Sequence, residues 1–257
     1  MLNRVSIEQT DPPRSAKETL PTMYDLLSED PQEPGCRGEF HDFQPQLLRE
    51  TFRPPHYSPE QVFVASGLNL YYDVRHPLWC KRPDWFAVLG VERLYEGRDL
   101  RMSYVMWQEG VAPAVVVELL SPGTEREDLG RTQRGMNQPP TQWEVYEQIL
   151  RVPYYVVFDR YSDRLRAFTL TAGQYREELL EQLRFFLPSL NLGLGLWQGS
   201  YQGIDRQWLR WYDDRGNWIP TATELERAQK ETAQARAERL AERLRAMGVD
   251  PDAPDGE

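Results

Sequence analysis

The chain is poor in the residues that most often announce a site. It has two cysteines, Cys36 and Cys80, and three histidines, His41, His56 and His76, scattered over its first third. Two cysteines cannot build a disulfide framework, and no Cys/His spacing of the zinc-binding kind occurs. There is no apolar run near the roughly 18 residues that mark a membrane span. The start, MLNRVSIEQTDPPRS, lacks the apolar stretch of a signal peptide, so a cytoplasmic protein without membrane contact is expected. No glycine-rich phosphate loop and no G-x-S-x-G element is present, which leaves P-loop and serine-hydrolase chemistry unsupported. A net basic balance is also missing. The 257 residues carry 30 Lys and Arg against 40 Asp and Glu, a formal charge of -10. That opposes broad non-specific binding to nucleic acid while leaving room for a local basic groove.

What is present suits a soluble domain with a substantial core. Hydrophobic residues make up 40% and aromatics 12%, including 8 Trp and 13 Tyr. Residues 1–38 hold Pro12, Pro13, Pro21, Pro31 and Pro34 among many acids and serines, and read as an extended arm, with a short helix conceivable over 23–27. Residues 39–219 alternate strand and helix signals and read as the main domain. QVFVA (61–65) and LNLYYDV (68–74) suggest strands around a turn at Ser66-Gly67, and Trp85–Leu89 suggests another. AVVVELL (114–120) is a continuous apolar run interrupted only by Glu118, as in a strand covered on both faces. Thr141 and Glu144 have capping-box spacing behind Pro139-Pro140, so a helix is expected from Thr141 with Trp143, Tyr146, Ile149 and Leu150 on one face. YYVVFD (154–159) and RLRAFTLT (164–171) predict a hairpin through Arg160–Asp163. LGLGLWQGSYQG and WLRWYDDRGNWI predict further strands, with a turn at Arg215-Gly216.

The composition then shifts. Over 220–247 Ala, Glu, Arg and Leu dominate, and Ala233, Ala237, Leu240, Leu244 and Met247 recur at coiled-coil spacing. The helix they predict has three readings: folded back on its own domain, paired with a second copy as a homodimer, or solvated. Gly248 suits its end, and 248–257 is expected to be disordered.

Two acids carry the candidate chemistry. A carboxylate at Glu118, inside a covered strand, costs several kcal/mol unless a metal, a hydrogen-bond donor or an open strand end compensates. Ser121-Pro122-Gly123 follows at once, so the plain alternative is that Glu118 meets solvent where the strand stops. Asp84, in R-P-D-W, opens an apolar strand, and alone is equally a turn residue. Together, the two suit a hard divalent cation, which takes oxygen ligands and can activate water against a phosphodiester.

The strings R-P-D-W-F-A-V, V-V-V-E-L-L-S-P-G-T-E-x-E-D-L-G, P-P-T-Q-W-E-V-Y and V-P-Y-Y-V-V-F-D resemble the Uma-two endonuclease family, over roughly residues 40–200. That family lies in the PD-(D/E)xK superfamily. The resemblance implies an α/β fold, a restriction-endonuclease-like mixed β-sheet core flanked by helices, preceded here by a Pro-rich arm and followed by a charged helix. It implies a Mg²⁺- or Mn²⁺-dependent hydrolase acting on DNA, with Asp84 and Glu118 as metal ligands. The superfamily lysine is expected two residues after Glu118, where this chain has Leu120. In the family it often moves to the following helix, four residues before a tyrosine; Tyr146 matches that tyrosine, and the lysine position is Gln142. Gln142 is thus the third catalytic candidate, and its lack of charge opens the alternative of a catalytically impaired nuclease-fold module that binds DNA or protein. Lys81, Arg131 or Arg134 are possible substitutes for the missing charge. Asp128 aligns with a recurring family acid, as a second metal ligand or a helix cap. Tyr146 is expected mainly to pack, and Asp159 to brace the turn after its strand. The stretch Glu125–Arg134, with its mixed charges, reads as a solvated helix face or a phosphate-binding patch.

Overall fold

The computed structural model describes residues 38–120, 129–130 and 138–247. The arm before residue 38, the residues after 247, and Asp128, Arg131 and Arg134 lie outside them, and with them the readings placed there. Residues up to Phe43 cluster apart from Gln44–Glu257, and the account below concerns the larger unit.

The described residues form a mixed α/β structure with three sheets. The largest has six strands: β1 (Val62–Ala65), β4 (Trp85–Leu89), β6 (Val115–Leu119), β7 (Tyr154–Asp159), β8 (Arg164–Thr171) and β9 (Gln174–Glu177), in the order β1-β4-β6-β7-β8-β9. Only β6 and β7 run parallel, and a crossover through residues 120–153 joins them. The remaining pairs are antiparallel. A small sheet pairs β2 (Leu70–Tyr71) with β3 (Cys80–Lys81) and β5 (Tyr104–Val105). A third joins β10 (Arg184–Leu187), β11 (Leu192–Tyr201) and β12 (Ile204–Tyr212) in an antiparallel meander.

The apolar run at 114–120 behaves as its composition requires. All five residues of β6 are buried, Glu118 included. Side chains alternate across a sheet, so Val116 and Glu118 share one face with Phe86, Tyr155 and Val157. On that face lies the main core cluster, where Tyr155 stacks on Tyr175 at 5.6 Å and Trp143 meets Phe168 edge-on at 5.0 Å. On the other face, Trp85 contacts Phe52 at 5.3 Å and Trp211 at 5.7 Å. Both faces being covered explains why β6 can be continuously apolar.

Helix α1 spans Phe40–Thr51. Gln44, fully buried, fastens it to β12 with two backbone bonds: Nε2 donates to the Leu209 carbonyl and Oε1 accepts from the Leu209 N–H, both at 2.8 Å. The helical turn α2 (Met106–Glu109) ends on Gly110, whose φ of 72° supplies the left-handed cap. Helix α4, Ala222–Ala246, begins with a capping box of Thr221 and Glu224, and buried Arg210 on β12 pairs with Glu224. Beyond that first turn it stays exposed, and no residue of its 25 is buried. Among the described residues its seam covers nothing in its own unit, which counts against the fold-back reading of this helix. Among the described residues no helix is long and apolar enough to cross a membrane.

Two other expectations need correction. LNLYYDV yields only the two-residue β2, because Asp73 turns the chain, accepting from the Arg75 N–H at 2.9 Å and from His76 at 2.8 Å. The helix expected from Thr141 is capped as foreseen but is short: α3 (Gln142–Glu144) passes directly into a π-turn over Val145–Ile149. Ile149, expected on the apolar face of the helix, is 44% exposed at the end of this wider turn.

Candidate active site

Strand pairing brings the two acids together. Trp85 on β4 is paired with Val117 on β6, so one residue further along the antiparallel ladder Asp84 faces Glu118. The Asp84 N–H donates to Glu118 Oε2 at 3.2 Å, and Asp84 Oδ2 accepts from the Leu119 N–H at 2.7 Å. Each carboxylate thus holds the other's strand. Both are buried, Asp84 at 7% and Glu118 at 3% exposure. The alternative that Glu118 simply meets solvent at a strand end is overturned.

The crossover returns over the same spot. The Thr141 side chain accepts from the Glu144 N–H at 3.2 Å, and Glu144 accepts from the Thr141 N–H at 2.8 Å, which fixes the first turn of α3. Gln142 and Tyr146, four residues apart, then project from one side of the helix. Gln142 Nε2 and Tyr146 Oη both donate to Glu118 Oε1 at 2.9 Å. Tyr146 also packs, with its ring 5.4 Å from Tyr155, so its expected role in the core is joined by a polar one.

The π-turn separates this function from a structural one. Its Leu150 N–H reaches back five residues to the Val145 carbonyl at 2.8 Å. Buried Glu147 is thereby turned toward β9, where Oε1 accepts from the Tyr175 N–H at 2.7 Å. Burial, and then the Glu147 carboxylate, push the Tyr175 phenol well above its ordinary range. Tyr175 therefore stays neutral and donates to the Val152 carbonyl at 3.0 Å. Nothing in a single sequence signals a π-turn, and these bonds were not foreseen.

Lys81 sits half-buried on β3, opposite Leu70 and three residues before Asp84. Asp159 braces the turn after β7 as expected, accepting from the Tyr161 N–H at 2.9 Å and the Ser162 hydroxyl at 2.5 Å. Gly130, at φ 66°, lies against Trp143 so closely that an added Cβ would come within 2.8 Å of its ring.

Two buried carboxylates side by side are an unfavourable pair unless positive charge or protonation relieves them. Asp84 and Glu118 present carboxylate oxygens at one buried point between adjacent strands. The arrangement therefore suits a hard divalent cation with oxygen ligands. Among the described residues no group of three or more His, Cys, Asp and Glu gathers at one place, so the described acids at this point are these two.

The family profile described as "Uma2: Putative restriction endonuclease" matches residues 25–200, well over half the chain. The chain belongs to the Uma2 family. The match spans Asp84, Glu118, Gln142 and Tyr146 together. No curated protein matches the chain. Among solved structures it is similar to a "putative nuclease belonging to DUF820" from Anabaena variabilis ATCC 29413. The two share 10% identity over 57% of this chain and 68% of that one, with a TM-score of 0.35.

Proposed function

We propose that this Uma2 protein is a metal-dependent endonuclease that hydrolyses phosphodiester bonds in DNA, with Asp84 and Glu118 as ligands of a Mg²⁺ or Mn²⁺ ion. The observation that carries this reading is the meeting of Asp84 and Glu118 across the β4–β6 pair, buried, beneath the Gln142 and Tyr146 side chains. An ion held there supplies Lewis acidity toward a phosphoryl oxygen and lowers the pKa of a bound water. The chain's own groups do the rest. Tyr146 and Gln142 fix Glu118 Oε1 in direction, and the Leu119 N–H fixes Asp84. Gln142, whose Nε2 points at Glu118, has its amide oxygen left to accept a hydrogen bond from the attacking water and so orient it. Lys81, half-buried on β3 three residues before Asp84, is the cationic side chain we assign to the charge that develops on phosphorus.

A second reading has one specific observation behind it. At the position where the family resemblance places a lysine, Gln142 donates a neutral hydrogen bond to Glu118. A module of this fold that binds DNA or a protein without cutting would tolerate that exchange. The fold context supports either reading: a mixed sheet with its parallel β6–β7 pair and a helical crossover above the acids is the architecture expected of a restriction-endonuclease-like core. We also propose a second copy of the chain as partner, through the exposed seam of α4.

Supercoiled plasmid incubated with the purified chain separates the readings. Nicking that requires Mg²⁺ or Mn²⁺ and disappears in Glu118→Ala supports the nuclease. Retention on DNA without nicking under either ion supports the binding module and removes the nuclease.

A further inference from the structure

The six-stranded sheet has a second feature on its opposite face. Val62 and Val64 pair with Leu89 and Ala87, and so lie on the side of Trp85, away from Asp84 and Glu118. They floor a cleft of about 640 Å³ whose walls include Phe52, Tyr57, Pro54 and Pro55, and whose polar lining is Arg49, Arg53 and Arg93. No acidic residue lines it. The cleft opens at the Leu89 end of β4, five residues, or about 17 Å of strand, from Asp84.

Arg53 has a structural task. Its Nη1 donates to the Phe52 carbonyl at 3.2 Å and the Arg49 carbonyl at 3.5 Å, closing the last turn of α1. Arg49 and Arg93 have none: neither guanidinium makes a hydrogen bond or ion pair among the described residues. Arg49 is partly withdrawn from water, and burial, then the charge of Arg93, lower its pKa. It remains cationic all the same. Two guanidiniums converge without a counter-charge, in a cleft stiffened by prolines whose φ is fixed. Such a cleft suits an anion.

We propose that the cleft binds a phosphate monoester carried on a planar ring: a nucleoside monophosphate, either free or as the phosphorylated end of a strand. Guanidinium forks match phosphate oxygens in pairs, which a spherical ammonium does not. A bare oxyanion would leave most of the volume empty, whereas 640 Å³ is the size of a small-molecule site. The Tyr57 ring and the proline faces offer a flat apolar wall of the kind on which bases stack. This inference stands apart from the carboxylate site and survives the loss of the nuclease reading.

Isothermal titration of the full chain in EDTA keeps any divalent ion out of the measurement. The probes are inorganic phosphate, adenosine, adenosine 5′-monophosphate, and a trinucleotide with and without a 5′-phosphate. Adenosine 5′-monophosphate or the phosphorylated trinucleotide is expected to bind at least tenfold more tightly than its unphosphorylated counterpart and than inorganic phosphate. Binding of the mononucleotide assigns a free ligand; binding of the phosphorylated trinucleotide alone assigns a strand end. Arg49→Met and Arg93→Met should each weaken binding tenfold or more without shifting the melting temperature, and Arg93→Lys should retain part of it. The proposal is overturned if no phosphorylated probe binds, if adenosine or inorganic phosphate binds as well as the nucleotide, or if binding survives the double Arg49→Met, Arg93→Met substitution.

Discussion

Asp84 and Glu118, 34 residues apart, are joined by a backbone-to-carboxylate hydrogen bond of 3.2 Å between adjacent strands. The geometry makes each acid both a brace for the other's strand and one of two carboxyl groups at a buried point. Replacing one carboxylate by an amide removes a charged oxygen ligand and should weaken the hold on a cation. Asp84→Asn and Glu118→Gln keep an accepting oxygen for the bracing bonds and are expected to melt close to the parent's temperature without metal. They should lose the stabilisation that Mn²⁺ gives the parent, with metal affinity falling at least about tenfold. Differential scanning calorimetry with and without Mn²⁺ reads both effects. A parent indifferent to Mn²⁺ would remove the metal site.

Gln142 offers the sharpest test of catalytic power. A lysine there would place an ammonium within reach of Glu118 and of a phosphate bound beside it. Gln142→Lys is expected to raise single-turnover plasmid nicking by about tenfold or more, since a charged donor stabilises developing negative charge better than an amide. If the lysine variant nicks no faster while folding normally, Gln142 is not at the catalytic lysine position.

Tyr146→Phe deletes one donor to a buried carboxylate and leaves the ring packing on Tyr155 in place. Leaving that acceptor short of a partner should cost about 1–3 kcal/mol in urea unfolding. The Glu118→Gln, Tyr146→Phe double variant should lose less than the sum of the singles, because the two residues share one bond. Strict additivity would show that the hydroxyl does its work elsewhere.

How much of this was legible beforehand depended on the range of the interaction. The run VVVEL states its own burial on both faces, and Thr141 with Glu144 states where a helix starts, because both signals are local. The hairpin of β7 and β8 was equally readable from two apolar runs and a short polar link. Helix α1 was not foreseen: Pro45 in its middle reads as a breaker, and what holds it, the double bond from Gln44 to Leu209, reaches across 165 positions. Strand β9, QYRE, carries almost no apolar signal because it is an edge strand, half-buried only at Tyr175. The cleft of Arg49, Arg53 and Arg93 was invisible because Arg93 arrives from a distant turn. At the candidate site, Glu118 stands out as a carboxylate inside a covered strand and Gln142 comes only through family resemblance, while only the strand register shows that Asp84 and Glu118 meet.

The link between β12 and α4 should be sensitive to acid. Burial raises the Glu224 pKa, but hydrogen bonds from Arg210 and the Thr221 N–H outweigh it and hold the carboxyl below its ordinary value of 4.5. A carboxyl with a depressed folded pKa contributes stability above its unfolded pKa and loses it as pH falls through the folded one. The first turn of α4 should therefore detach only below pH 4.5. Glu224→Gln should remove that step and loosen the turn already at neutral pH. Amide hydrogen exchange of residues 222–226 from pH 7 downward measures it. Equal protection in parent and variant at neutral pH would show that the pair does not anchor the helix.

The rest of α4 makes a separate claim. Leu225, Leu240, Leu244 and Met247 are 47%, 50%, 38% and 77% exposed, and they share one stripe with Ala233 and Ala237. A 25-residue helix with an apolar stripe and no buried residue lacks the packing that sustains most helices in water. A second copy would bury the stripe as a coiled-coil seam. Sedimentation equilibrium of the full chain should show a dimer, dissociating at least tenfold more readily in Leu240→Glu, Leu244→Glu. The double variant should also lose helical circular dichroism, because seam and helix are stabilised together. A monomer at every concentration, with full helicity in parent and variant alike, would show that the helix stands alone on its i,i+4 side-chain pairs, such as the 2.9 Å bond from Arg227 to Glu231.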